Sequence, residues 1–124
     1  MKEEEVGKWI LDCAFKVHSA LGPGLLESAY EACMAYELSR YVDVRRQVAM
    51  PLQYGDVCLD TGYRVDLLVG DCVIVELKSV ASLTELHLAQ TLSYLRLGNY
   101  HLGYLLNFNV KRMKDGIKRV VNSL

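Results

Sequence analysis

The most constraining feature of the sequence is a pair of short β-branched runs that carry charged residues inside them. Both runs lie within residues 63–79 and are separated by a Gly-Asp pair, which predicts a β-hairpin. Strand alternation puts Glu76 and Lys78 on one face of the second run, while the first run contains a single acid, Asp66. Carboxylates in apolar strands are costly to bury unless they are paired or bound to a cation, so these charges require an explanation.

The two acids can share a site only if the hairpin has a particular register. Opposed residues of an antiparallel pair have a constant index sum, so a two-residue loop would place Asp66 opposite Val75, on the wrong face relative to Glu76. A three-residue loop, Gly70-Asp71-Cys72, or a bulge would bring both carboxylates to the same face. We therefore expect one of these two arrangements.

Two neighbouring carboxylates predict a metal site. They repel each other, and one would take up a proton unless a cation lay between them. Oxygen ligands favour Mg²⁺ or Mn²⁺ over zinc, and such an ion polarises a phosphoryl oxygen and lowers the pKa of a bound water. Lys78 could then orient the water or stabilise the developing charge. The alternative is a solvated Glu-x-Lys face with a weak ion pair.

Composition restricts where a nucleic acid could bind. The 124 residues are 52% hydrophobic and 23% charged, which predicts one globular domain over residues 1–124. The net charge is −1, so no global positive field attracts a polyanion, and any such partner must be held locally. Five of the fourteen basic residues lie in the last fourteen positions, and the first candidates for contact are Lys111, Arg112 and Lys118.

The cysteines and the N-terminus predict a cytoplasmic protein. The four cysteines are widely spaced, with no C-x-x-C pair, as expected of small buried side chains in a reducing compartment. The acidic start followed by an amphipathic helix is not a secretory signal, and no apolar run reaches membrane-spanning length.

Periodicity predicts the order of the elements. Helices are expected over residues 3–21 and 25–40, and a third helix should begin at a Ser82-x-x-Glu85 capping box and end near Leu97. The predicted strands are residues 44–54, interrupted at Pro51, then 57–69 with a bend at Thr61-Gly62, the second run of the hairpin, 102–108, and a short terminal strand from Ile117. The first strands would form a meander, and the third helix would cross over to a parallel strand.

The start of the second helix carries a further motif. Gly24, Glu27 and Tyr30 follow a G-x-x-E-x-x-Y pattern, which helix chemistry alone would explain as a first-turn acid and an aromatic core residue. The pattern resembles the signature of the small bacterial proteins of the GxxExxY family, which is assigned to the PD-(D/E)xK nuclease superfamily. The similarity runs from about Val6 to the C-terminus and includes Leu21-Gly22-Pro23-Gly24, Arg64-Val65-Asp66, Val75-Glu76-Leu77-Lys78 and Leu106-Asn107-Phe108.

The third helix adds a weaker motif. Leu83, His87, Gln90 and Tyr94 share one face, which could simply face solvent. Gln90-x-x-x-Tyr94 also resembles a motif that RecB-like branches of the superfamily carry beside the active site.

The resemblance implies a fold and a set of roles. The fold would be an α/β, restriction-endonuclease-like core, a mixed central sheet flanked by helices in the order ααβββαββ. Asp66, Glu76 and the Leu77 carbonyl would bind Mg²⁺ or Mn²⁺, and Lys78 would assist the attacking water. Glu27 would complete the site or bind a second metal. Gln90 and Tyr94 would position the catalytic groups or the substrate.

The predicted function is hydrolysis of nucleic-acid phosphodiester bonds by a Mg²⁺-dependent nuclease. Two alternatives remain open: a non-catalytic module on the same fold that binds nucleic acid or protein, and a regulatory or assembly protein that forms a homodimer through its apolar first helix. Metal-dependent cleavage separates the first function from the other two.

Overall fold

Two helices form the first layer of the molecule, and both were predicted. In a computed structural model that describes residues 1–60 and 62–123, α1 spans Glu3–Leu21 and α2 spans Glu27–Leu38. Three glutamates occupy the first turn of α1, where the helix dipole favours negative charge. Gly22 ends α1 with a φ of +67°, a conformation that glycine adopts without steric cost.

The rest of the chain builds a five-stranded mixed sheet. The elements are β1 (Val44–Ala49), β2 (Leu52–Tyr54), β3 (Val57–Leu59), β4 (Arg64–Val69), β5 (Val73–Lys78), α3 (Glu85–Gly98), β6 (Leu102–Asn107), a short 3₁₀ turn (Met113–Gly116) and β7 (Ile117–Val121). The strand order is β1-β4-β5-β6-β7, and β5 and β6 are parallel while the other neighbours in this sheet are antiparallel. This mixed sheet flanked by helices is the predicted restriction-endonuclease-like fold.

The predicted meander is wrong. β1 pairs with β4, not with the strand that follows it, and β2 and β3 form a separate two-stranded sheet. Pro51 explains the break, because proline has no N–H to donate and so ends β1 before β2 begins. The predicted bend at Thr61-Gly62 lies partly outside the described residues at Thr61, while Gly62 has a φ of +81°.

The predicted capping box of α3 is also wrong. The helix begins at Glu85, and Thr84, not Ser82, is its N-cap residue. The Thr84 hydroxyl accepts from the backbone N–H of His87, and His87 Nδ1 accepts from the backbone N–H of Thr84. A histidine therefore replaces the glutamate of the usual box, which the pattern did not anticipate.

The sheet has an apolar core on each face. Helices α1 and α2 cover one face, where Ile10, Met34 and Tyr30 pack against alternate strand residues such as Val75 and Leu106. Helix α3 covers the other face, where Leu95 packs with buried residues that include Leu68, Ile74 and Val120. In the described part of the chain, no helix combines the length and apolarity needed to cross a membrane.

Candidate active site

The hairpin between β4 and β5 has the predicted register. Val69 pairs with Val73 and Leu67 with Val75, so the loop holds Gly70, Asp71 and Cys72. Gly70 and Asp71 both have positive φ, and the N–H of Cys72 donates to the carbonyl of Val69 at 3.1 Å. This is a tight turn with one extra residue, and it brings Asp66 and Glu76 together where the pairing of β4 and β5 ends, while their predicted common face stays a prediction.

The strands β4 and β5 separate at Asp66. Beyond this point the side-chain carboxylates, and not main-chain carbonyls, accept the hydrogen bonds of the main-chain N–H groups. The N–H of Asp66 donates to Glu76 Oε2 at 2.7 Å, and the N–H of Leu77 donates to Asp66 Oδ2 at 2.8 Å. Meanwhile β4 stays paired with β1 through Val48 and Val65. The separation of the strands leaves a notch in the sheet at Asp66 and Glu76. Each of these carboxylates accepts a hydrogen bond from a main-chain N–H of the other strand.

The electrostatics of this notch favour a bound cation. Burial and the charge of Asp66 raise the pKa of Glu76 to about 8, and burial raises the pKa of Asp66. The nearby ammonium of Lys78 acts in the opposite direction on both groups. A buried and a half-buried carboxylate that resist ionising together fit a divalent ion, whose charge would relieve their repulsion.

The number of acidic ligands is small. Over residues 1–60 and 62–123, no group of three or more histidine, cysteine, aspartate or glutamate side chains is arranged to hold a metal. Asp66 and Glu76 would thus supply the side-chain ligands, with the Leu77 carbonyl and water or substrate oxygens as the remaining ones.

Lys78 lies half-buried at the end of β5, beside a buried asparagine that sequence reasoning named only within the Leu106-Asn107-Phe108 match and gave no role. Asn107 is the cross-strand partner of Lys78 in β6. Its side chain accepts from the N–H of Val80 at 3.1 Å and donates to the Val80 carbonyl at 3.0 Å. Asn107 thereby fixes the chain just after Lys78, and its position in an otherwise apolar strand was the available signal.

A second missed group connects α2 to the site. Gln47 Nε2 donates to Glu31 Oε1 at 2.6 Å and to Asp66 Oδ1 at 3.2 Å. Glu31 is buried and also pairs with Arg46 at 2.9 Å. The acid of α2 that is tied to Asp66 is therefore Glu31, one turn after Glu27 in the sequence pattern.

Glu27 lies near the end of β5, and its predicted place in the metal site stays a prediction. Its Oε1 accepts from the backbone N–H of Ser79 at 3.3 Å, while the Ser79 hydroxyl donates to the Leu25 carbonyl at 2.6 Å. Tyr30 is fully buried, stacks on Phe108 and donates its hydroxyl to the Gly22 carbonyl at 2.6 Å. The G-x-x-E-x-x-Y motif thus attaches the α1–α2 loop to the strand that carries Glu76 and Lys78.

The two α3 residues differ in their surroundings. Tyr94 is buried, and burial raises the pKa of its hydroxyl, with smaller contributions from the charges of Glu76 and Asp66. Gln90 is exposed one turn earlier on the same helix. Both line a cleft along α3, and their predicted place beside the carboxylates stays a prediction.

The basic residues of the tail do not form one surface. Lys111 and Arg112 lie exposed in a loop next to His18 of α1. Arg119 in β7 pairs with Glu4 of α1 at 3.1 Å, so the adjacent Lys118 points to the opposite, α3-facing side. Lys118 is opposite Leu105, which is opposite Glu76, so it shares a face of the sheet with Glu76.

Comparison with known proteins agrees with this geometry. No curated protein matches the chain. A family model described as PD-(D/E)XK nuclease superfamily matches residues 4–120, a span that includes every candidate site residue. The superfamily implies a nucleic-acid substrate and typically uses divalent metal ions. With this match over nearly its whole length, the chain belongs to the PD-(D/E)XK nuclease superfamily.

Proposed function

We propose that the protein is a Mg²⁺- or Mn²⁺-dependent nuclease of the GxxExxY type that hydrolyses phosphodiester bonds in nucleic acid. The observation that carries this proposal is the meeting of two carboxylates, buried Glu76 and half-buried Asp66, where β4 and β5 part, with Lys78 close enough for its charge to act on both. We also propose that residues 1–124 form a single nuclease-like domain, since one sheet includes strands from both halves of the chain.

The proposed metal ligands are Asp66, Glu76 and the carbonyl of Leu77. Glu27, in α2 near the end of β5, would be an additional ligand or would bind a second ion. When bound, the ion supplies Lewis-acid polarisation of the phosphate and a more acidic water. Asp66 is held for this role from two sides, by the N–H of Leu77 and by the amide of Gln47.

Lys78 has a different proposed role, stabilisation of charge during the reaction. Hydrolysis of a phosphodiester builds negative charge on phosphate oxygens, and a fixed ammonium in a partly buried notch stabilises it more than it stabilises the ground state. Asn107 limits the movement of the chain after Lys78, so the ammonium is directed from a rigid strand end. Gln90 and Tyr94 would position the substrate at the neighbouring cleft.

The direct test is a panel of labelled single- and double-stranded DNA and RNA incubated with Mg²⁺, Mn²⁺ or EDTA. We expect cleavage with either ion and none with EDTA. Lys78→Ala should abolish cleavage and keep the rise in melting temperature caused by the metal, whereas Asp66→Ala should lose both. Lys114→Ala, which removes an exposed lysine within the 3₁₀ turn, is the matched control and should cleave like wild type.

One result would contradict the proposal directly. If wild-type protein binds Mg²⁺ or Mn²⁺ in calorimetry but leaves every substrate of the panel intact, the protein is not a nuclease of this kind. A non-catalytic binding module on the same fold would then be the better description.

A further inference from the structure

A cleft lies between α3, Leu52 of β2 and Tyr63, the residue before β4. Its volume is about 530 Å³, and its lining residues are Leu52, Tyr63, Leu86, Ala89, Gln90, Ser93, Tyr94, Arg96 and Leu97. We call it the α3 cleft. Most of these residues come from one face of α3, at the three- and four-residue spacing that places side chains side by side.

Two tyrosines give the α3 cleft an aromatic side. The rings of Tyr63 and Tyr94 have centroids 6.2 Å apart and are tilted by 52°. Tyr94 is buried against the sheet, whereas Tyr63 is 45% exposed, so part of its ring is accessible to a ligand. An exposed aromatic ring at the mouth of a cleft is suited to stacking on a flat, unsaturated ring.

The α3 cleft adjoins the strands that carry the two carboxylates. Tyr94 links them, since it lines the cleft and packs in the same apolar cluster as Val65 of β4, next to Asp66, and Ile74 of β5, two residues before Glu76. Tyr63 immediately precedes β4, three residues before Asp66. A nucleotide whose phosphate lay at the notch would therefore have its base within reach of the cleft.

The polar groups of the α3 cleft match a nucleotide better than an apolar peptide. Gln90, Ser93 and Arg96 follow one another at three-residue intervals along α3, and among the described lining residues none is acidic. An amide and a hydroxyl can donate to and accept from the edge of a base, and a guanidinium can contact a phosphate.

We propose that the α3 cleft holds an unpaired nucleobase next to the cleaved phosphate, which makes single-stranded or locally unpaired nucleic acid the substrate class. This inference rests on the proposed nuclease function and deepens it. A base inside a duplex is stacked on both faces and paired along its edge, so neither Tyr63 nor Gln90 could reach it. DNA and RNA both fit this chemistry.

The first experiment measures binding without cleavage. Lys78→Ala protein is titrated against a labelled single-stranded oligonucleotide and its duplex, in DNA and RNA forms, by fluorescence anisotropy. We expect the single strand to bind at least about 10-fold more tightly than the duplex. Adding Tyr63→Ala should weaken single-strand binding by about 5- to 100-fold, the usual effect of removing a stacked aromatic, while Tyr63→Phe should retain it.

Two controls separate stacking from general effects. Tyr54→Ala removes a tyrosine that is 78% exposed on the β2–β3 hairpin and does not line the cleft, so it should bind like the parent. Removing single bases from the oligonucleotide in turn tests the same contact on a protein with its tyrosines intact. One abasic position should weaken binding about as much as Tyr63→Ala does.

The outcomes distinguish this inference from the proposed function. Equal binding of strand and duplex, or full binding by folded Tyr63→Ala protein, would overturn the base site even if cleavage occurs. Tyr63-dependent binding of single strands without any cleavage by wild type would keep the base site and reject the nuclease. If Tyr63→Ala does not fold, uniform binding across the abasic series would overturn the inference.

Discussion

The backbone at Gln47 has a φ of +52°, which a side chain with a Cβ rarely adopts. The residue lies in β1 between Arg46 and Val48, whose partners in β4 are Leu67 and Val65, and its amide reaches both Asp66 and Glu31. A strained backbone conformation is maintained only where surrounding contacts stabilise it. Here the hydrogen bonds from the Gln47 amide to two carboxylates provide that stabilisation. Gln47 is thus a positioning residue for Asp66.

Replacing Gln47 separates the backbone cost from the side-chain role. Gln47→Gly removes the amide and tolerates the positive φ, while Gln47→Ala removes the amide and keeps the strain. We expect Gln47→Gly to be more stable than Gln47→Ala by about 1 kcal/mol in urea unfolding. Both should lower the cleavage rate by a similar factor, about 10-fold, because both release Asp66.

The outcome against this role is specific. If both variants cleave at the wild-type rate, the hydrogen bond from Gln47 to Asp66 has no functional consequence. Gln53→Ala provides the control, since among the described residues the Gln53 amide donates to the nearby Gly55 carbonyl and to no group of the site.

Glu76 should make the stability of the metal-free protein depend on pH. Its folded pKa of about 8 lies above the ordinary 4.5, so its contribution to stability is complete below pH 4.5 and is lost as the pH rises through 8. Glu76→Gln cannot ionise there. In EDTA it should exceed wild type in free energy of unfolding by roughly 1–3 kcal/mol at about pH 9, and by much less at about pH 5.

Urea unfolding at both pH values checks this prediction, and metal provides an internal control. Mg²⁺ or Mn²⁺ should stabilise wild type more as the pH rises, because binding must displace the proton, and should have little effect on Glu76→Gln. A wild type whose stability in EDTA rises between these pH values relative to Glu76→Gln would show that Glu76 is ionised in the fold.

Sequence reasoning reached some of these residues and not others for physical reasons. Asp66, Glu76 and Lys78 were found because charge in a strand is costly and alternation fixes which face it takes. Gln47 could not be identified, since its contact with Asp66 depends on a positive φ that no local sequence pattern predicts. Glu31 looked like any helix acid until β1 was seen to carry Arg46 beside it.

At the scale of elements, the loop between α1 and α2 depends on one hydroxyl. The Tyr30 hydroxyl donates to the Gly22 carbonyl and accepts from the Leu25 N–H, and the Leu25 carbonyl in turn accepts from Ser79. Through these hydrogen bonds, the loop connects α2 to Ser79, the residue that follows β5.

Tyr30→Phe should keep the stacking on Phe108 and lose both hydrogen bonds. Because the loop carbonyl and N–H lose a buried partner, we expect a loss of about 1–2 kcal/mol in free energy of unfolding. Thermal and urea unfolding measure it. Tyr36→Phe is the control, since Tyr36 is 70% exposed and should change stability very little. Equal effects of the two substitutions would contradict a structural role for the Tyr30 hydroxyl.

Element boundaries were predicted correctly where the local sequence signal allowed one position and wrongly where it allowed two. The end of α1 was predicted correctly, because Gly22 and Pro23 both stop a helix. The start of α3 was not, because Ser82 and Thr84 are both acceptable caps and only the fold decides between them. The pairing of β1 with β4 was missed, since adjacency in sequence favours the nearest strand and β2–β3 intervenes.

At the scale of the whole molecule, nucleic-acid contact should follow the faces of the sheet. Lys118 lies on the face of Glu76, and the adjacent Arg119 lies on the opposite face, paired with Glu4. Lys118→Ala should weaken binding of every sequence similarly and reduce the slope of log affinity against log salt by about 0.7–0.9. Arg119→Ala, its matched control, should leave the slope unchanged, and the reverse result would place the nucleic acid on the α1 side.

The parting of β4 and β5 leaves two main-chain amides, those of Asp66 and Leu77, hydrogen-bonded to ionisable side chains instead of carbonyls. Their neighbours in the ladder, such as Leu67 and Val75, keep ordinary backbone partners. In nuclear magnetic resonance spectra, the proton shifts and solvent-exchange rates of these two amides should therefore change when the carboxylates of Asp66 and Glu76 titrate or coordinate an ion. The fold thus contains its own pair of spectroscopic probes at the point where the chemistry is proposed to occur.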